Sequence, residues 1–552
     1  MNMPVFPQRK PDHKNTGVRK PEHEVVIIGA GISGIGTAIE LKNQGIENFV
    51  ILERAADVGG TWRDNRYPGI AVDITSFTYS FSFDQKSNWS RVFAPGAELY
   101  QYTRGAASKF GVYPHIRFGV EVENTRFDEQ WHIWEVTLKS GETITARHIV
   151  SASGGLISPK LPDIEGLDNF EGEIVHTARW HSGIDLRNKR VAVIGTGATA
   201  VQLIPEIAQQ VKQLDVYQRT PIWVLKKPDR NLPAWLKSAF RLLPALQRSV
   251  RLATDTISET LMVISTIYYK QAPWIVRRCE QAAIANMQEQ LPNRKDLWDK
   301  LTPKYGFGCK RPTFSNEYFK TFSDANVELV TTGIDRITPR GIRTTDGKQR
   351  RIDVLILATG YKTFEKGNLP SYEVFGRDKL ELGEYWEENR FQAYEGLTIP
   401  KFPNFYIMLG PYALIGTSYF KMVEGNAIHL TRCIQEAKKR KTTCAEVRED
   451  VHNRYFQDIL KRQQSTVFLN HNCAQSNSYY FDIHGDAPML RPSTSVEMLW
   501  RARHLPMNNY GFSEAPGLKN LAEESIQERM KSASITPDIQ QPIEPIKSKY
   551  GS

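Results

Sequence analysis

The chain of 552 residues is long enough for about two to four packed units. Its 40% hydrophobic and 24% charged residues are those of an ordinary globular protein. A net charge of +10 suits a phosphate-bearing partner, and the basic residues are scattered through the chain rather than clustered, so no nucleic-acid partner is expected.

Residues 1–22 are polar and basic with no apolar core, which reads as a disordered arm and not as a signal peptide. The five cysteines (Cys279, Cys309, Cys433, Cys444 and Cys473) are odd in number and form no CxxC. That argues against a secreted disulfide framework and against zinc, so a cytoplasmic protein with no metal is expected.

HEVVIIGAGISGIGTAIELKNQGIENFVILER (23–54) is an apolar strand, a glycine-rich turn, a helix and a second strand ending in charge. Gly29, Gly31 and Gly34 make GxGxxG, in which the first glycine permits the turn, the second admits a pyrophosphate and the third lets helix and strand pack. The unpaired N–H groups at the helix start then face the phosphates. Glu53 ends the second strand, nineteen residues past Gly34, where a carboxylate can accept from both hydroxyls of an unphosphorylated ribose such as that of FAD.

KRVAVIGTGATAVQLIPEIAQQVKQLDVYQRT (189–220) repeats the pattern 166 positions later, with Gly195 and Gly197 as the first two glycines and Ala200 in the third place. Thr196, Ala198 and Thr199 complete the turn. Here the second strand ends in Arg219 and Thr220 with no acid, which suits the 2′-phosphate of NADPH because a guanidinium grips phosphate bidentately. Each unit later returns to an apolar strand closing in glycine, at 148–155 and 353–360. Residues 231–303 switch to helical period and read as a lid on the core, and their longest apolar stretch is broken by Glu259, Lys270 and Pro273. No stable membrane insertion is expected there, and at most a weak surface association.

The expected fold is α/β, with two Rossmann-like dinucleotide-binding domains, for FAD and for NADPH, and a helical insertion in the second. Residues 23–160 and 365–515 would form the FAD domain, 161–230 and 304–364 the NADPH domain, 231–303 the insertion and 516–552 a flexible tail. A chain so equipped is a flavin oxidoreductase. It lacks the CxxC of a disulfide reductase, and the residues so far leave oxidase and monooxygenase chemistry open.

Between the two units stands FEGEIVHTARWH (170–181), in which Phe170, Gly172, His176 and Trp180 spell FxGxxxHxxxW. With GGTW (59–62), RYPGIAVD (66–73), YQRTP (217–221), CKRP (309–312), LATGY (357–361) and PNFYIMLGP (403–411) in the same order, the chain resembles type I Baeyer–Villiger monooxygenases from Val25 to about Phe512. The resemblance implies a ketone and O2 as substrates and an ester or lactone as product. It puts Arg311 over the flavin, where a permanent positive charge stabilises the C4a-peroxide, and Asp73 beside it as the group that orients the arginine. Thr61, Trp62 and Tyr79 would line the flavin, and Lys310 would join Arg219 and Thr220 at the 2′-phosphate. The FxGxxxHxxxW segment would be a linker between domains and not the seat of the chemistry. The sister family of N- and S-oxygenating flavin monooxygenases is the alternative, disfavoured by Trp180 and by the Lys310–Arg311 pair. The chain departs from the family pattern at His181, where Pro or Asp is usual, and at Ser478-Tyr479-Tyr480, where many relatives have SWY.

Overall fold

Strand β1 (His23–Ile28) is apolar because its last four residues are buried, and helix α1 (Ile32–Asn43) starts at Gly31 and buries nine of its twelve residues. Strand β2 (Phe49–Glu53) returns wholly buried and pairs parallel to β1, Val26 opposite Val50. The computed structural model describes residues 18–521 together with Glu523 and Ile526, so most of the arm and tail read from the sequence lies outside the described residues. On the other side of β1 runs the parallel strand Thr143–Ser151, Val26 opposite Ile149, which places the apolar 148–155 stretch at the centre of the sheet. Phe405–Ile407 pairs with that strand as well, so a segment far down the chain completes this eight-stranded sheet.

A second sheet has five strands, all parallel, in the order Val327–Val330, β4 (Gln213–Tyr217), β3 (Arg190–Ile194), Val354–Leu357 and Glu173–His176. Helix α2 (Ala198–Ala208) joins β3 to β4 and buries Ala200, Val201, Leu203, Ile204 and Ile207 against them. The α/β reading with two Rossmann-like units is therefore what the chain forms. Parallel strands crossed over by helices demand faces buried on both sides, and the near-continuous Val, Ile and Leu of these strands meet that demand.

The insertion begins with α3 (Ala234–Leu242) and α4 (Pro244–Ser258) and runs through a π-helical turn at Glu259–Ile264. It docks on the first unit: Phe240 is buried, and Arg251 donates to the Phe77 carbonyl at 3.0 Å and to the Ser80 hydroxyl and carbonyl at 3.1 Å each. Among the described residues, no helix is long and apolar enough to cross a membrane.

Glu395 is 3% exposed and bound by Arg491 and Arg501, and despite the burial its two guanidinium partners hold its carboxyl down to about 2. Glu395→Ala leaves the buried Arg491 and the partly buried Arg501 facing each other without an anion, and is expected to cost about 3–5 kcal/mol in denaturant unfolding.

The expectation from cysteine count needs one correction. Cys309 and Cys473, 164 residues apart, form a disulfide with a Cα–Cα distance of 5.0 Å, both residues lying in the core around Phe307 and Tyr480. An odd total hides one pair: Cys433 and Cys444 are buried thiols and Cys279 a partly buried one.

Candidate functional site

Both glycine turns open into one cavity of about 1450 Å³, lined from the first unit by Gly29, Gly31, Glu53, Thr61, Trp62, Asp73 and Tyr79. The second unit contributes Gly195, Thr196, Gly197, Ala198, Thr199, Arg219, Thr220, Lys310 and Arg311 to the same walls. The glycine-closed strand ends lie here too, through Ser153, Gly154 and Gly155 and through Ala358, Thr359 and Gly360. This is the crevice at the carboxyl ends of parallel strands where open α/β sheets take their ligands. Gly34 and Ala200 do not line it; they sit inside their helices, and a Cβ on Gly34 would lie 1.9 Å from the Gly29 carbonyl oxygen. A Cβ on Gly197, by contrast, would meet no atom within 4 Å, so the second turn leaves room along its backbone for a pyrophosphate.

At the end of β2, Glu53 is 5% exposed. Its Oε2 accepts from Ala30 N at 2.8 Å, and its Oε1 from Ala55 N at 2.9 Å and Arg63 Nη1 at 3.1 Å. A carboxylate offers about four acceptor positions, so about one remains for a ribose hydroxyl rather than the two expected. Arg63 is the residue that sequence reasoning missed here, in the short stretch between GGTW (59–62) and RYPGIAVD (66–73). Trp62 and Tyr79 meet edge to face with ring centroids 5.7 Å apart.

Arg311 reaches across the cavity to Asp73 as a two-pronged pair, Nε to Oδ2 at 2.8 Å and Nη2 to Oδ1 at 2.7 Å. The Asp73 carboxylate holds the guanidinium well above its ordinary range, and Arg311 holds Asp73 below the usual carboxylate range against the burial that would raise it. The pair is therefore an ion pair at any physiological pH. Both side chains keep a cavity-facing surface, 30% exposed for Arg311 and 22% for Asp73.

Arg219 and Lys310, the residue directly before Arg311, line the same cavity. Among the described residues neither makes an ion pair with a carboxylate. Burial, and then the charge of Arg219, push the Lys310 amine down to about 8. Two cations brought together without an acid are costly unless an anion is bound between them. Thr220 is tied in from both sides: its carbonyl accepts from Thr196 Oγ1 at 2.8 Å, and its hydroxyl accepts from Asn477 Nδ2 at 3.0 Å. Asn477 carried no signal in the sequence. Its neighbours Ser478 and Tyr479 line the cavity, and the Tyr479 ring meets the Tyr480 ring edge to face at 5.0 Å.

The 170–181 segment forms the edge strand Glu173–His176 of the second sheet and lies outside the cavity lining. Phe170 is buried, and a Cβ on Gly172 would lie 2.5 Å from the Asp353 carbonyl oxygen. His176 Nδ1 accepts from Ala178 N at 3.1 Å, and its Nε2 lies 3.3 Å from Thr359 Oγ1. Burial and the neighbouring Arg179 lower its pKa, so a neutral ring stands at the strand end. Trp180 packs half-buried on the core of the second unit, while Arg179 donates to the Ile157 carbonyl at 3.3 Å where the chain leaves the first. His181 is on the surface, its Nε2 3.9 Å from Glu173. Further bonds hold the two units together: Tyr67 Oη donates to Gln202 at 3.0 Å, and Tyr361 Oη donates to Asn65 at 2.6 Å.

Neither Cys309 nor Cys473 lines the cavity, so the disulfide is not a redox dithiol facing the ligand crevice. No described residue of 231–303 lines it either; the insertion packs on the core without covering the crevice.

A family model described as pyridine nucleotide-disulphide oxidoreductase matches residues 26–262. A Baeyer–Villiger monooxygenase of Pseudomonas aeruginosa is 34% identical over 506 residues, 92% of this chain and 94% of that protein. One of Streptomyces coelicolor is 35% identical over 493 residues, 89% of this chain and 92% of its own length. Among solved structures, OTEMO in complex with FAD and NADP superposes with a TM-score of 0.78 at 27% identity, over 90% of this chain and all of that one (100%). Cyclohexanone monooxygenase from Rhodococcus sp. Phi1 bound to NADP+ gives a TM-score of 0.77 at 26% identity, with 90% and 100% covered.

Proposed function

We propose that this chain, which belongs to the Baeyer–Villiger monooxygenase family, inserts one oxygen atom of O2 beside the carbonyl of a ketone, giving an ester or lactone. The observation that carries the reading is the Arg311–Asp73 pair facing a cavity shared by the two glycine turns. Bound in that cavity, FAD supplies the activation of dioxygen and NADPH supplies the hydride. The residues fit both groups. Gly31 and Gly60 leave the first turn without side chains between helix and ligand, Glu53 retains an acceptor position, and the open face of Gly197 with the unpaired Arg219 and Lys310 suits a pyrophosphate and a 2′-phosphate.

Oxygen delivered to a ketone must act as a nucleophile, so negative charge develops first on the attacking oxygen and then on the carbonyl oxygen. Arg311 stabilises such charge without giving up a proton, because a guanidinium held above its ordinary pKa does not act as a general acid. Asp73 fixes the plane of the guanidinium and leaves Nη1 free of that grip. Tyr79 and Trp62 present an aromatic wall on the same side of the cavity. The FxGxxxHxxxW segment acts at a distance: His176 ties the edge strand to the Thr359 turn, which itself lines the crevice.

The test is ketone-stimulated NADPH consumption by the FAD-loaded protein over a panel of linear, cyclic and aryl ketones, with products identified by mass spectrometry. Ester or lactone formed in step with NADPH use supports the reading; NADPH oxidation that yields only hydrogen peroxide with every ketone contradicts it.

Lys310 gives the site a pH dependence with a definite sign. Its amine is protonated below about 8 in the free protein and loses its charge above, so the 2′-phosphate is held more weakly as pH rises. KM for NADPH is expected to climb between about pH 7 and about pH 9, and Lys310→Arg to flatten that climb. Steady-state kinetics with NADPH across the range measure both.

A further inference from the structure

The outer side of the insertion breaks the rule for a solvent-facing helix. At 3.6 residues per turn, Leu246, Ser249, Ala253, Thr256, Ile257 and Thr260 share one stripe of α4 and its continuation, turned away from the buried Gln247 and Arg251. The stripe carries no charged residue. Leu252 at 68% exposure and Ile257 at 58% stand in the open, and α3 adds Trp235 at 70% and Leu242 at 73%. A contiguous apolar surface of this kind marks a contact that the isolated chain does not make.

The hydroxyls on the stripe are also arranged for a dry neighbour. Ser249 donates to the Ala245 carbonyl at 3.1 Å, Thr256 to the Leu252 carbonyl at 2.9 Å and Thr260 to the Thr256 carbonyl at 2.9 Å. Each exposed polar side chain has thus turned back onto its own helix and does not depend on water as a partner.

The charges choose among occupants. Lys237, Arg241 and Arg248 flank the apolar side chains, and among the described residues no carboxylate pairs with them. The one acid of the two helices, Asp255, is turned inward, 3.0 Å from Lys421 and 3.9 Å from Arg251. A second copy of this chain would bring like charges together. An anionic lipid surface would meet each cation with a phosphate and take the Trp and Leu side chains into its interfacial layer. The face continues past the insertion: Glu259 accepts from the backbone N–H of Ser495 at 2.7 Å, which sets helix α5 (Ser495–His504), with Val496 and Trp500 exposed, beside the stripe.

We propose that the α3–α4 face, with Trp500 beside it, seats the protein on the surface of an anionic bilayer as an in-plane apolar wedge that does not span it. The proposal is independent of the reaction and would hold for any activity in the cavity. The test is co-sedimentation of the full FAD-loaded chain with vesicles of mixed phosphatidylglycerol and phosphatidylcholine, and with pure phosphatidylcholine. Binding is expected to the anionic vesicles and to fall about tenfold or more in the triple variant Leu246→Ser, Leu252→Ser, Ile257→Ser, and also in Arg241→Glu, Arg248→Glu. NADPH oxidation in solution should stay at the parent level in both, which separates loss of docking from loss of fold. No sedimentation with either vesicle overturns the proposal, as does binding that the triple variant retains in full. A dimer that light scattering detects and the triple variant abolishes, without vesicle binding, assigns the face to a second copy and overturns it too.

Discussion

Arg311→Ala is expected to lower ketone oxygenation by about three orders of magnitude, while reduction of the flavin by NADPH falls by less than about tenfold. The variant should turn NADPH consumption into hydrogen peroxide release. The reason is the timing of charge. Hydride arrival asks little of a guanidinium, whereas attack on the ketone gathers negative charge on oxygen, which the fixed cation of Arg311 can meet inside the cavity. Arg311→Lys keeps a charge but cannot hold Asp73 with two parallel bonds, so it should recover only part of the rate. Asp73→Asn leaves the arginine charged and loosens its aim, and should lower the rate by about 10- to 100-fold. Thioether oxidation needs an electrophilic oxygen and no such anion, so Arg311→Ala should spare it. Equal loss of ketone and thioether oxidation would show that Arg311 serves folding or cofactor retention instead. Flavin content and thermal unfolding of the same samples decide that point.

Arg219→Ala is expected to raise KM for NADPH by about 10- to 100-fold, the worth of one charge-assisted grip on phosphate, with little change in kcat. NADH, which has no 2′-phosphate, should be used as poorly by the variant as by the parent. Removing Lys310 as well should add less than its separate effect, because the two cations repel one another and share one anion. Parallel titrations with NADPH and NADH measure the ratio. A parent protein that prefers NADH would refute the assignment of this wall.

Much of the fold was legible because its signals are local. Each strand, glycine turn and helix of β1–α1–β2 and β3–α2–β4 is written in about thirty consecutive residues, and the strand HIVSASGG fell next to β1 as its apolar run required. The site was legible one wall at a time. Arg311 could be singled out by its motif, yet its partner stands 238 residues away and the two-pronged geometry comes only from the fold. Asn477 reaches Thr220 across 257 residues with no pattern to announce it. Glu53 illustrates the opposite limit: its position was readable, but its engagement by Ala30, Ala55 and Arg63 was not, and that leaves it about half the hydrogen-bonding freedom the motif suggested. The Cys309–Cys473 pair escaped because cysteine counting reads parity and spacing, and neither reports a contact made between a turn beside Arg311 and a segment near the chain's end. His176 and Trp180, conspicuous in the sequence, proved to be an edge-strand anchor and a packing residue.

The central claim is that the cavity transfers one atom of dioxygen to a ketone. It is tested most directly by turnover of the FAD-loaded protein with NADPH and a ketone under heavy-isotope dioxygen, followed by mass spectrometry of the product. One heavy oxygen in the ester or lactone, placed at the ring or chain oxygen and not at the carbonyl, is the predicted result. An unlabelled product, or ketone recovered intact while NADPH is spent, would contradict it.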